Sequence, residues 1–120
     1  MLAVFGALGS VTRYILDRSI MRTLNTAFPF GTLTINLTGS LLLGLLVGIS
    51  ANGLVSKSGM VAIGDGFVGA YTTFSTLTFE SIALTESGAL NLAVLNLVAT
   101  ILASTLLAYI GLQIGWHLLV

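Results

Sequence analysis

Cysteine is absent and histidine occurs once, as His117, so disulfides, thiolate chemistry and any metal cluster of thiolates and imidazoles are excluded at the outset. Charge is almost as scarce. Four Lys and Arg face four Asp and Glu, together 7% of the residues, where a soluble domain carries roughly 25%. A soluble domain of 120 residues exposes most of its perimeter to water and needs charge to stay dispersed, which this chain lacks. A net charge of zero gives no basic face for nucleic acid. The serines have no base partner and no catalytic cluster is legible, so the residues read as no enzyme. What is plentiful is apolar surface, at 56% hydrophobic residues. The chain reads as an all-α integral membrane protein whose partner is the lipid bilayer, forming one transmembrane domain over residues 1–120.

A helix needs about 20 apolar residues to cross the hydrocarbon core. Charges and breakers leave four such blocks, at about 2–24, 32–49, 59–84 and 90–119. The apolar part of the first is shortened by Arg13, Asp17, Arg18 and Arg22. Leu2–Leu8 has no positive region before it, so no cleavable signal peptide is expected. The only proline, Pro29, suits a turn or a first helical position. The polar run SANGLVSKS, Ser50 to Ser58, reads as a connection, and TESGALN, Thr85 to Asn91, as a second. Trp116 and His117 suit the membrane interface.

Arginines 13, 18 and 22 lie toward the first connection and Lys57 lies in the second, a bias that places the first and third connections in the cytoplasm. If Arg13 is buried instead, the bias nearly vanishes and the chain is balanced enough to insert both ways. Helices in lipid pair through small residues and interhelical hydrogen bonds. Ser40, Gly44 and Gly48 form such a stripe on the second helix, and Ala99 and Ala103 another on the fourth. The stripes serve either packing within the chain or a subunit interface. Four thin helices enclose little alone, which favours an oligomer.

Polar residues inside the apolar blocks fall into rows. Thr32, Asn36 and Ser40 are spaced i, i+4, i+8 on the second helix, as are Asn96, Thr100 and Ser104 on the fourth, so each row occupies one face. They are either interhelical hydrogen-bond glue or a donor track for a small ion, and donors imply an anion. In the third block, Gly64 to Glu80 crowds three glycines with Thr72, Thr73, Ser75, Thr76 and Thr78. Helical bonding is expected to fail there and present backbone groups to an ion. The alternative is a merely kinked helix whose hydroxyls bond back to the preceding turn.

GTLTINLTG (Gly31 to Gly39), GFVGAYTTFST (Gly66 to Thr76) and GALGSVTRY in the first helix resemble signature stretches of the CrcB/Fluc fluoride channels, in order and over essentially the whole chain. That resemblance implies a passive, fluoride-selective channel of the cell membrane: an antiparallel dual-topology dimer with two narrow pores, a third helix broken at its centre, and a structural sodium ion on the twofold axis. By motif position it assigns the sodium to the backbone carbonyls of Gly69 and Thr72. The same positions assign the fluoride pathway to Asn36, Phe74, Ser75, Asn96, Thr100 and Ser104, with Arg13 and Glu80 as vestibule or structural polar groups. The expected chemistry is replacement of fluoride's water by uncharged donors and by the positive edge of a phenyl ring.

Two positions depart from the pattern. Leu77 stands where the family has a second pore phenylalanine, which leaves either a tolerant homodimeric pore or a heterodimer whose other subunit supplies the ring. Asp65 places a carboxylate at the approach to the break, where a charge is costly. The rivals are a small proton-coupled exporter, which needs a carboxylate at midspan, and a non-transporting assembly subunit.

Overall fold

A computed structural model describes residues 1–118. Those residues form four helical stretches and no strand, in a body of 49 × 28 × 22 Å, longer than the roughly 30 Å hydrocarbon layer. The end of the fourth expected block, residue 119, lies outside the described residues.

Helix α1 is Leu2–Leu24. It stops at Asn25, whose left-handed backbone (φ 47, ψ 52) turns its N–H back to Met21 O, a conformation asparagine tolerates better than most residues. Pro29 precedes α2, Phe30–Ala51, which is longer at both ends than expected. The next helix begins at Lys57, capped by Ser56, whose Oγ accepts from Gly59 N–H at 3.0 Å, so the polar connection shrinks to residues 52–56.

This third stretch, Lys57–Glu86, opens with the contiguous pieces Lys57–Gly59, Met60–Val68 and Gly69–Tyr71, together α3. Its middle piece is widened to i→i+5 bonding, as where Gly69 N–H reaches back to Gly64 O. Thr72 and Thr73 are extended (φ −78, ψ 156 and φ −150, ψ 120), and α4 then runs Phe74–Glu86. The glycines therefore remain helical, and bonding lapses at the two threonines that follow them. A turn through Gly88, at φ 90, leads to α5, Leu90–His117.

α2 and α5 form the broadest contact. A Cβ on Gly44 or Gly48 would strike the α5 backbone at Ala108 and at Leu112–Trp116. One on Gly111 or Gly115 would strike the α2 backbone at Leu41 and Leu45. The Gly44 and Gly48 stripe thus packs within the chain, and its counterpart is Gly111 and Gly115 rather than Ala99 and Ala103. Gly9 of α1 meets the backbone of Phe67 in the same manner, seating α1 on α3. Asn52 ties the other loop to α5 by donating from Nδ2 to Trp116 O at 2.8 Å.

Helices α2 and α5 are each long and apolar enough to cross a bilayer. Leu102, Leu106, Ile101, Val94 and Tyr109 of α5 all face outward. A surface so apolar belongs in lipid.

Candidate functional site

The site is built where α2 meets the interrupted third stretch. Asn36, buried on α2, grips Thr73 from both sides: its Nδ2 donates to Thr73 O at 3.0 Å, and its Oδ1 accepts from Thr73 N–H at 2.8 Å. Thr73 in turn caps α4, its Oγ1 accepting from Thr76 N–H at 3.2 Å. These two acceptors divert donors that an uninterrupted helix would use otherwise. By i→i−4 bonding, Thr73 N–H would serve Gly69 O and Thr76 N–H would serve Thr72 O. Both carbonyls lose that partner. Gly69 also lies on an exposed face of the chain.

Beside the break lies an open cavity of about 320 Å³. Asn36 and Ser40 line it from α2, Thr72, Thr73, Phe74 and Leu77 from the third stretch, and Thr100, Ser104 and Thr105 from α5. No carboxylate or cation lines it. Phe74 stands at its rim, 72% exposed, whereas Leu77 is 2% exposed and packed inside the chain.

The hydroxyls differ in what they do. Many helical Ser and Thr here donate to the carbonyl four residues back, as Thr12, Ser19, Thr78, Ser81, Thr85 and Thr105 do. Thr100 Oγ1 and Ser104 Oγ are buried and make no hydrogen bond, although Thr105 in the same wall does. Leaving a buried polar group unpaired costs about 1–3 kcal/mol, so two adjacent ones in a cavity wall point to a polar occupant.

The other sequence-derived candidates divide. Asn96 is fully enclosed and outside the cavity wall: its Nδ2 donates to Ser81 Oγ at 3.0 Å, and its Oδ1 is unpaired. Ser75 is exposed beside Thr73, 3.3 Å between hydroxyls, and does not line the cavity. Arg13 lines a separate, smaller chamber of about 170 Å³ with Asp17, Thr32, Thr73 and Thr76. Glu80 lines another with Met21 and Pro29. Arg13 Nε, Asp17 Oδ1 and Glu80 Oε1 are all buried without a partner. Asp65 is exposed on the widened part of α3.

Thr73 is the residue sequence reasoning passed over, although a hydroxyl residue just before a helix restart is an N-cap signal. Thr105 and the pairing of Tyr71 with Thr38 were also missed. The latter joins residues far apart in the chain and has no local signature.

The sequence pattern of the CrcB-like protein, Camphor Resistance (CrcB) family matches residues 1–112. Among curated proteins, a Fluoride-specific ion channel FluC of Magnetococcus marinus is 40% identical over 116 residues, covering 94% of this chain and 93% of that one. A Fluoride-specific ion channel FluC 2 of Mycobacterium bovis is 42% identical over 108 residues, covering 90% and 82%. A Fluoride-specific ion channel FluC 1 of Nocardia farcinica is 41% identical over 109 residues, covering 91% and 74%. With a matched pattern spanning most of its length and relatives about 40% identical over most of both chains, the chain belongs to the CrcB-like family.

Proposed function

We propose that the chain is a multi-pass subunit of a passive, fluoride-selective channel of the cell membrane. The observation that carries this reading is the pair of buried, unpartnered hydroxyls of Thr100 and Ser104 in a cavity bounded by Phe74 and free of charged side chains. Fluoride is small and strongly hydrated, so a conduit must offer donors in place of water without a cation that would trap the ion. Hydroxyl hydrogens of Thr100 and Ser104, the second Nδ2 hydrogen of Asn36 and the positive edge of the Phe74 ring are donors of that kind. Ser75, exposed beside Thr73, extends the path beyond the cavity, Asn96 supports its wall from within by its bond to Ser81, and Arg13 and Glu80 belong to its polar approaches. An internally negative potential favours anion exit by about 2.3 kcal/mol per 100 mV, so no coupled energy source is required.

A single protomer leaves Phe74 and Gly69 facing outward, which fits an antiparallel dual-topology dimer closed around the third spans, each broken near the bilayer centre. The carbonyls of Gly69 and Thr72, relieved of their helical donors, suit a hard cation that prefers oxygen ligands. These residues, with the same atoms of a second copy, would hold a structural sodium ion, which supplies positive charge at the dimer centre. The cavity contains no carboxylate, so a proton-coupled exporter lacks its exchanging group there.

Reconstitution of this chain alone in liposomes, with fluoride and chloride efflux followed separately, tests the reading. Fluoride efflux well above chloride is expected, and equal rates would overturn the selectivity. A second reading rests on Leu77, buried where the resemblance places a second pore phenyl ring. In that case the chain pairs with a related subunit that supplies the ring, and the numbered names of the Nocardia farcinica and Mycobacterium bovis relatives are compatible with paired chains. Silence of the chain alone, with conduction restored by a second related subunit, would favour it.

A further inference from the structure

The two threonines of the break are held by more than Asn36. One residue before them, Tyr71 is buried, and its hydroxyl lies 2.9 Å from Thr38 Oγ1 on α2. Thr38 Oγ1 is also 2.8 Å from Thr34 O and 3.2 Å from Ile35 O, and a carbonyl can only accept. The single hydroxyl hydrogen of Thr38 is therefore committed to its own helix, and Tyr71 is the donor in the pair. Below the hydroxyl, the Tyr71 ring lies nearly parallel to Phe67, with centroids 5.9 Å apart and planes at 15°. Gly39, the next residue of α2, leaves the space that Thr72 Cγ2 and the Tyr71 ring fill, since a Cβ there would collide with Thr72 and crowd the ring. Thr72 closes the arrangement on its own side, its N–H and Oγ1 both donating to Val68 O, at 2.9 and 3.0 Å.

α2 thus mounts the break at three neighbouring points: Asn36 on Thr73, Gly39 on Thr72 and Thr38 on Tyr71. The Asn36 contact fixes the C-terminal side of the Thr72–Thr73 link, and the Thr38 contact fixes its N-terminal side. Between the two anchors lies the Thr72 carbonyl, and Gly69 is two residues before Tyr71. We propose that Tyr71, through its hydrogen bond to Thr38, is a positioning residue that holds the Gly69 and Thr72 carbonyls in register as cation ligands. This rests on the reading above that a sodium ion is held there. Tyr71 neither touches the cation nor lines the anion cavity. Its effect belongs to cation affinity and only through it to conduction.

Thr38→Val leaves the buried Tyr71 hydroxyl without an acceptor, whereas Tyr71→Phe leaves Thr38 still bonded to Thr34. The valine variant should therefore be the more damaging of the two, and Thr38→Ser, which keeps the hydroxyl, should behave as the unsubstituted protein.

The test is thermal unfolding of the purified, detergent-solubilised full chain across a sodium titration, with N-methylglucamine holding ionic strength constant. Tyr71→Phe is expected to move the sodium midpoint of stabilisation at least fivefold upward, with fluoride efflux at saturating sodium within twofold of the unsubstituted chain. Adding Thr38→Val to Tyr71→Phe should move the midpoint no further, because the bond is already gone. A uniform loss of stability at every sodium concentration, with an unchanged midpoint, would mean ordinary core packing and overturn the inference alone. No sodium response in the unsubstituted chain would overturn the cation reading and this inference with it.

Discussion

On the proposed reading, Thr100 and Ser104 set conduction against stability. A buried hydroxyl without a partner costs about 1–3 kcal/mol, and valine matches threonine in shape while removing the polar atom. Thr100→Val is therefore expected to raise thermal stability while lowering fluoride efflux by about tenfold, equivalent to about 1.4 kcal/mol on the barrier. Thermal unfolding and liposome efflux on one preparation check both halves. A variant that lost stability together with flux would place Thr100 in packing. Phe74 presents a simpler case, being 72% exposed and making little of the protomer's core. Phe74→Ile should leave the fold of the protomer intact, as judged by size-exclusion chromatography, while efflux falls about tenfold.

At the scale of elements, helix positions were legible because hydropathy and length decide them in lipid, and Leu2–Leu24 is the range read from the apolar block. The place where the third stretch loses its bonding was harder to read. Gly64, Gly66 and Gly69 suggested a disrupted run, yet they remain helical, and bonding lapses at Thr72 and Thr73. The cause is not local: Asn36, 37 residues away in sequence, offers Thr73 N–H a better-placed acceptor. The spacing of Asn96, Thr100 and Ser104 places them along one face of the fourth block, but it could not tell that Thr100 and Ser104 are unbonded while Asn96 is sealed against Ser81. The α2–α5 contact makes its own prediction. Gly111→Leu forces a side chain into the backbone at Leu41, and overpacking of that kind costs about 1–3 kcal/mol or more. A loss of monodisperse protein in size-exclusion chromatography is expected, and a well-folded variant of normal stability would contradict the packing described.

For the whole molecule, Lys57 lies at one end of the bundle while Arg18 and Arg22 lie at the other, a small difference for orienting a chain. The absence of cysteine makes orientation directly measurable. Asn25→Cys and Asn52→Cys mark opposite ends. If the chain inserts both ways, a membrane-impermeant thiol reagent applied outside intact cells should label a substantial fraction of each. Labelling of only one would indicate a fixed orientation, as a heterodimer with a complementary partner requires. The motif singles out Phe74 and Gly69 in the sequence, but their outward exposure is visible only in the fold, because it depends on how the helices pack.

The glycine seam between α2 and α5 also limits how the protein can vary. Where two backbones touch, every replacement for Gly44, Gly48, Gly111 or Gly115 adds atoms where no room exists, and no change on the facing helix can restore it, since what lies opposite is main chain. Outward-facing leucines and valines of the same helices meet no main chain of this protomer, so they can be exchanged among apolar types without that limit. The seam is thus locked, and adaptation to membranes of different thickness or fluidity has to proceed on the faces turned away from it.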